Sequence, residues 1–320
     1  MKILILRFSS IGDIVLTSPV VRCLKQQLKN SEIHYLTKKS FVSVVENNPN
    51  IDKVFSFEKD ISEVLPELKK ENYDCVIDLH HNLRSMQVKR ALGKPSKSFN
   101  KLNIEKWLLV NLKINRLPDK HIVERYFETV AHIGVKNDLK GLNFFIDVKD
   151  EIDISSLPKE FSTGYIALVI GAKHNTKKLP TEKIISICKK INRPVVLIGG
   201  KEDLETGEKI TSQISTTFNA CGKYNLQQSA SLIKQAEKVI THDTGMMHIA
   251  AAFQKNIISI WGNTVPEFGM YPYMPGNEAN SQIVEVENIS CRPCSKIGFE
   301  KCPKGHFKCM NEIDETAFIT

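Results

Sequence analysis

The chain of 320 residues has no hydrophobic run that approaches the ~18 residues of a membrane-spanning helix. Its opening, Met1-Lys2-Ile3-Leu4-Ile5-Leu6-Arg7, turns polar too soon for a secretory signal. That stretch reads as a buried first strand, and the expected location is the cytoplasm. No basic tail stands out, and no zinc-finger, RNP or basic-zipper pattern occurs, which argues against nucleic acid as a partner. The turn after the first strand, Arg7-Phe8-Ser9-Ser10-Ile11-Gly12-Asp13, holds one glycine where a dinucleotide-binding protein would place G-x-G-x-x-G. That absence counts against an NAD-dependent oxidoreductase. No D-x-D pair is placed to hold a metal on a diphosphate.

What is present suits a soluble globular protein, with 42% hydrophobic and 25% charged residues. The length accommodates two domains of ordinary size. The formal net charge of +8 favours an anionic partner, such as a nucleotide, a phosphorylated glycan or an anionic membrane surface. Short apolar runs alternate with helical patterns. Strands are expected at 3–6, 32–36, 54–57 and 75–79, with helices over 14–28, 62–71, 83–92 and 124–133. The helix over 14–28 is kinked by Pro19 or has it near its start. A polar stretch over 147–163 marks a boundary, giving domains 1–155 and 156–320. The rhythm then restarts, with strands at 165–170, 195–198, 239–240 and 257–261 and helices over 180–190, 204–214 and 226–234. Such alternation predicts an α/β fold of two doubly wound, Rossmann-like domains in series, with the active site in the cleft between them.

The stretch Thr241-His242-Asp243-Thr244-Gly245-Met246-Met247-His248 joins an apolar strand to a helix opening at Gly245. Asp243 and Thr244 stand at N-cap positions. A helix start offers unpaired N–H groups and the positive end of the helix dipole, which suits a diphosphate. An ordinary capped helix has the same pattern. The loop Gly171-Ala172-Lys173-His174-Asn175-Thr176-Lys177-Lys178-Leu179-Pro180 places lysines before a second helix start. Asp13, at a strand-to-helix corner, is a candidate general base, with simple helix capping as the alternative.

These stretches resemble glycosyltransferase family 9, the ADP-heptose:lipopolysaccharide heptosyltransferase family. The similarity rests on residues 3–13, on Asp78-Leu79-His80-His81-Asn82-Leu83-Arg84-Ser85, on Lys177-Lys178-Leu179-Pro180 and on Asp243 through Ala252, in the family's order. It implies the glycosyltransferase-B fold, two Rossmann-like domains facing across a cleft, with acceptor on the N-terminal domain and nucleotide-sugar on the C-terminal one. It makes Asp13 the catalytic base, Lys177 a diphosphate contact, and Asp243, Thr244, Gly245 and His248 the stretch beside diphosphate and sugar. Arg84 matches a basic position in the acceptor half. Met246 and Leu179 depart from the family's usual residues. The ribose partner is expected among Glu202, Asp203 and Glu205. The implied function is inverting, metal-independent transfer of heptose or a related sugar from an ADP-sugar to the lipopolysaccharide core, with no cofactor required. The acceptor would be a phosphorylated lipid A–core glycan, reached at the inner face of the cytoplasmic membrane. An oxidoreductase and a non-catalytic nucleotide-sugar-binding relative are the alternatives.

Eight cysteines complete the picture. Cys23, Cys75, Cys188 and Cys221 are scattered and read as small buried hydrophobes. Cys291, Cys294, Cys302 and Cys309 crowd the C-terminus, where one C-x-x-C pair admits a structural metal or, as the default, reduced packed thiols.

Overall fold

The structure is a computed structural model and describes residues 1–319. The chain forms two compact units: Met1–Leu102 with Lys120–Phe145, and Asn103–Asp119 with Ile146–Thr320. It leaves the first unit earlier than the boundary expected at 155. The polar stretch after 145 is tied to the second unit by hydrogen bonds. The Ile152 N–H donates to Ser231 Oγ, the Asn225 amide to Asp150, and the Gln235 amide to the Ile152 carbonyl.

The first unit runs β1 (Lys2–Leu6), α1 (Ile11–Val15), α2 (Ser18–Gln27), β2 (Glu32–Lys38), β3 (Lys53–Phe57), α3 (Leu65–Lys70), β4 (Cys75–Asp78), α4 (Leu83–Leu92) and β5 (Ser96–Ser98). Its parallel sheet has the order β3-β2-β1-β4-β5. The single helix expected over 14–28 is two helices, because Pro19 takes the first turn of α2 and cannot sit inside a longer one. Pro66 likewise starts α3 late. Helix α4 matches its expected bounds: Asn82 accepts from the Ser85 N–H at the start, and Gly93 closes the end at φ +62°.

The segment 103–119 carries α5 (Asn103–Leu112), and α6 (Ile122–Phe127) follows in the first unit. The second unit continues with β6 (Ile166–Val169), α7 (Thr181–Ile191), β7 (Val195–Ile198), α8 (Leu204–Thr211), β8 (Thr217–Asn219), α9 (Leu226–Gln235), β9 (Lys238–His242), α10 (Gly245–Ala252), β10 (Asn256–Trp261), β11 (Ser281–Glu285) and α11 (Lys308–Asn311). Its sheet is parallel, in the order β11-β10-β9-β6-β7-β8.

Strands β4, β6 and β7 are buried at every residue, as continuous apolar runs covered on both faces should be. Leu4, Leu6, Leu36, Phe55 and Val76 pack with Leu68 and Val88 in the first core. Ile166, Leu168, Leu197, Ile240 and Ile260 pack with Ile184, Cys188 and Ile210 in the second. The four scattered cysteines are buried, as expected, and burial pushes the Cys188 and Cys221 thiols up to about 12.

Each sheet reverses its strand order once, at β1/β4 in the first and β6/β9 in the second. At such a reversal the loops leaving adjacent carboxyl ends diverge, and a ligand can enter between them.

Candidate active site

In the first unit, the β1–α1 loop and the loop after β4 meet this description. The buried Arg7 organises the former. Its Nε donates to the Ser9 carbonyl, and Nη1 donates to the Leu79 carbonyl and the Tyr126 hydroxyl. Nη2 lies 2.5 Å from Asp13 Oδ1. The other Asp13 oxygen accepts from the Ser10 hydroxyl at 2.7 Å and from its N–H at 3.2 Å. Asp13 therefore closes the first turn of α1, as the capping alternative requires, while its carboxylate stays partly open to solvent.

Across the reversal, Asp78 ends β4 fully buried. Its carboxylate accepts from the N–H groups of His80 and His81, from Ser85 and Ser98 hydroxyls, and lies 2.9 Å from Lys89 Nζ. Burial alone would raise its pKa, but the His81 N–H, Lys89 and Ser85 outweigh it and hold the carboxyl below its ordinary value. The turn so fixed sets the His80 ring against Phe8, with centroids 4.6 Å apart. Burial, then the Arg7 and Lys101 charges, push the His80 imidazole down to about 3, so it is neutral at ordinary pH. Arg84 lies exposed in the first turn of α4.

In the second unit, the reversal at β6/β9 brings the lysine loop beside the loop before α10. Lys177 Nζ is 2.5 Å from Asp243 Oδ2 and donates to the Asp243 carbonyl at 3.1 Å. The same Oδ2 accepts from Thr264 Oγ1 at 2.8 Å. Thr264 follows β10, the neighbour of β9. Nothing in its sequence neighbourhood announces it, so only strand pairing reveals the role. Thr244 is the N-cap of α10, in extended conformation, and its side chain makes no capping hydrogen bond. Gly245 opens the helix, and His248 lies buried one turn in. His242 Nε2 accepts from the Leu179 N–H at 3.0 Å, tying the two loops together. Burial, then the Lys178 charge, push its imidazole down to about 3.

The three candidate ribose acids separate. Asp203 is buried, lies 2.7 Å from Lys178 Nζ and accepts from the Gly200 N–H. A Cβ at Gly171 would stand 2.4 Å from its carboxylate oxygen, so this corner needs glycine for close packing. Glu202 and Glu205 are exposed.

The C-terminal segment packs on this unit. Thr176 donates to the Phe299 carbonyl and accepts from its N–H. Arg292 donates to the carbonyls of Trp261, Gly262, Thr264 and Val286, and pairs with Glu285. Asn263, whose carbonyl accepts from the Cys294 N–H, is buried, and its side-chain amide has no partner among the described residues. Cys291 Sγ lies 3.7 Å from His306 Nε2. Burial, then the neighbouring Cys291, push the Cys294 thiol up to about 12. Among the described residues, three potential ligand atoms close to within 4.8 Å of one another only at Glu32, His34 and Glu71. There Lys2 and Lys53 donate to Glu71.

Residues 62–302 match the model of glycosyltransferase family 9 (heptosyltransferase). Lipopolysaccharide heptosyltransferase 1 of Campylobacter coli is 25% identical over 297 residues, which cover 82% of this chain and 84% of that protein. Lipooligosaccharide heptosyltransferase 2 of Haemophilus influenzae is 25% identical over 324 residues, covering 93% of each. The structure of the Escherichia coli ADP-heptose lps heptosyltransferase II shares the fold, with a TM-score of 0.70 at 20% identity over 98% of both chains.

Proposed function

The chain belongs to glycosyltransferase family 9, and we propose that it moves heptose, or a related sugar, from an ADP-sugar to the lipopolysaccharide core. Transfer proceeds with inversion and without a metal. The relatives are lipopolysaccharide and lipooligosaccharide heptosyltransferases, one of them an ADP-heptose enzyme, which supports this sugar, nucleotide and acceptor class. The observation that carries the reading is the knot of Lys177, Asp243 and Thr264 beside the start of α10, where the Thr244 side chain makes no capping hydrogen bond.

An ammonium has three donors, and Asp243 takes two of those on Lys177, through its carboxylate and its carbonyl. The third is available to a phosphate oxygen. Asp243 thus acts through Lys177, aiming it, while Thr264 fixes Asp243. Thr244, the Gly245 N–H and the helix dipole take the remaining phosphate charge, and His248 lies beside the donor. Glu202, exposed in the turn directly after β7, is the ribose partner, since Asp203 is committed to Lys178 and Glu205 lies further on, in α8. The orphaned amide of Asn263 is of the kind a ligand or ordered water satisfies.

The acceptor hydroxyl attacks the anomeric carbon. Its new C–O bond forms as the bond to the diphosphate breaks on the opposite face. The hydroxyl proton passes to Asp13, and the diphosphate leaves with the electron pair, its charge stabilised by Lys177 and the α10 start. Arg7 holds Asp13 in one orientation for that step.

The acceptor is a phosphorylated lipid A–core glycan met at the inner face of the cytoplasmic membrane. The net charge of +8 favours that surface. No helix among the described residues is long and apolar enough to cross a membrane.

Membership of the family leaves the oxidoreductase alternative without support. The test is a thermal-shift panel of ADP, UDP, GDP, CMP and NAD, followed by mass analysis of acceptor glycan incubated with ADP-heptose. Preferential stabilisation by ADP and a mass gain of one heptose are expected. Binding without any gain in mass would give the chain to the non-catalytic alternative.

A further inference from the structure

Helix α5 and the residues after it present the densest exposed apolar surface in the second unit. Ile104 is 73% exposed, Trp107 51%, Leu112 53% and Ile114 44%. The first three recur at three- and eight-residue spacing and so share one face of the helix. The opposite face is occupied: Leu109 and Val110 pack on Val265 and Phe268. The helix is therefore anchored on one side and bare on the other.

The surrounding charges identify what meets the bare side. Within the second unit, residues 103–119 hold Lys106, Lys113 and Arg116 against Glu105 and Asp119, and Lys296 adds its charge at the start of the helix by donating to the Asn103 carbonyl. Arg116 and Lys296 are exposed, and Lys113, which donates to the carbonyls of Val110, Cys291 and Pro293, holds its charge at the same surface. Aliphatic and tryptophan side chains flanked by cations suit the headgroup boundary of an anionic bilayer. There the ring and alkyl groups enter the acyl edge and the cations meet lipid phosphates.

We propose that this face of α5 is the surface by which the protein docks on an anionic lipid bilayer. The proposal deepens the lipid-linked acceptor reading above and rests on it for the biological need, although vesicle binding can be measured without it. Docking is peripheral: a helix of ten residues lies in the interface and does not span it.

The test is co-sedimentation of the full chain with phosphatidylethanolamine–phosphatidylglycerol vesicles, read together with intrinsic fluorescence. The chain has two tryptophans. Trp261 is 1% exposed, so a blue shift on adding vesicles reports Trp107. The wild type should sediment with vesicles at low salt and shift its emission. The combined variant Ile104→Ser, Trp107→Ser, Leu112→Ser should bind at least about tenfold more weakly. Trp107→Phe should bind and lose the shift. Arg116→Glu, which alters one exposed charge and no packing, should also weaken binding and serves if the triple variant does not fold.

Absence of wild-type binding, or full binding by the folded triple variant, overturns docking. So does a wild-type dimer that the triple variant dissolves while neither binds vesicles, which would give the face to a second copy. Transfer to a delipidated, water-soluble acceptor should be unchanged in the triple variant. Failure of the wild type itself on that acceptor would end the transferase reading and leave the vesicle result standing.

Discussion

Lys177 and Lys178 are neighbours in the chain and answer different carboxylates, Asp243 at 2.5 Å and Asp203 at 2.7 Å. The first pair belongs to the candidate donor site, and the second fixes the turn after β7. The two lysines should therefore fail differently. Lys177→Ala should weaken donor binding and lower kcat about a hundredfold, with little change in melting temperature. Lys178→Ala leaves the buried Asp203 carboxylate unpaired and should cost about 3 kcal/mol of stability. Steady-state kinetics and thermal melts of both variants check this, and matching profiles would show that the pairs share one role.

Thr264 touches the site only through Asp243. Thr264→Val removes one hydroxyl donor, worth about 1 kcal/mol, and should raise the donor KM roughly fivefold. In the Lys177→Ala background the same change should do almost nothing, since there is no ammonium left to aim. A double-mutant cycle measures the difference, and additive effects would remove Thr264 from the relay.

Asp13→Ala should lower kcat about a thousandfold while ADP binding, followed by calorimetry, stays unchanged. Arg7→Met should reproduce part of that loss, because Asp13 Oδ1 then has no guanidinium to orient it. Near-normal turnover in Asp13→Ala would reduce the residue to the helix cap it also forms.

Glu202→Ala should raise the KM for the nucleotide-sugar and leave the melting curve in place. Asp203→Asn should lower the melting temperature, because it breaks the buried pair with Lys178. A shift in KM from Glu205→Ala instead would move the ribose contact onto α8.

His80 and His242 are held neutral, both pushed from 6.5 down to about 3. The unfolded chain binds protons on these rings between those values and the folded chain does not. Stability therefore rises with pH across that interval and is lost as pH falls from about 6.5 toward 3. Melting temperatures taken between pH 7 and 4 should fall steadily, and His242→Asn should flatten the slope. An unchanged slope would mean that His242 opens to solvent and protonates in the folded state.

Where local chemistry and burial agree, the structure follows the pattern of residues. Strand β7 over Val195–Ile198 is an unbroken apolar run, and α4 is bracketed by Asn82 and Gly93. Strands β5 and β8 are three residues long, and β11 is an exposed edge, so none has a legible pattern. Helix α5 hides for a different reason: it is apolar on two faces, and no single stripe marks it. Candidate donor residues close in sequence, Asp243 to Gly245, are readable from turn chemistry. Thr264 and the commitment of Asp203 are not, since both depend on which strands lie side by side. The cysteine spacing at the C-terminus suggests clustering, but spacing fixes no sulfur positions, and in the structure Cys291 lies 3.7 Å from the His306 imidazole nitrogen.

Arg292, from the tail, clasps three peptide carbonyls of the turn that carries Thr264. If that turn steadies a diphosphate as proposed, the grip on the phosphates can consequently drift through an appendage. A homologue with a shortened or exchanged terminus would keep both sheets and every candidate donor residue, yet hold that turn slackly and bind a diphosphate more weakly.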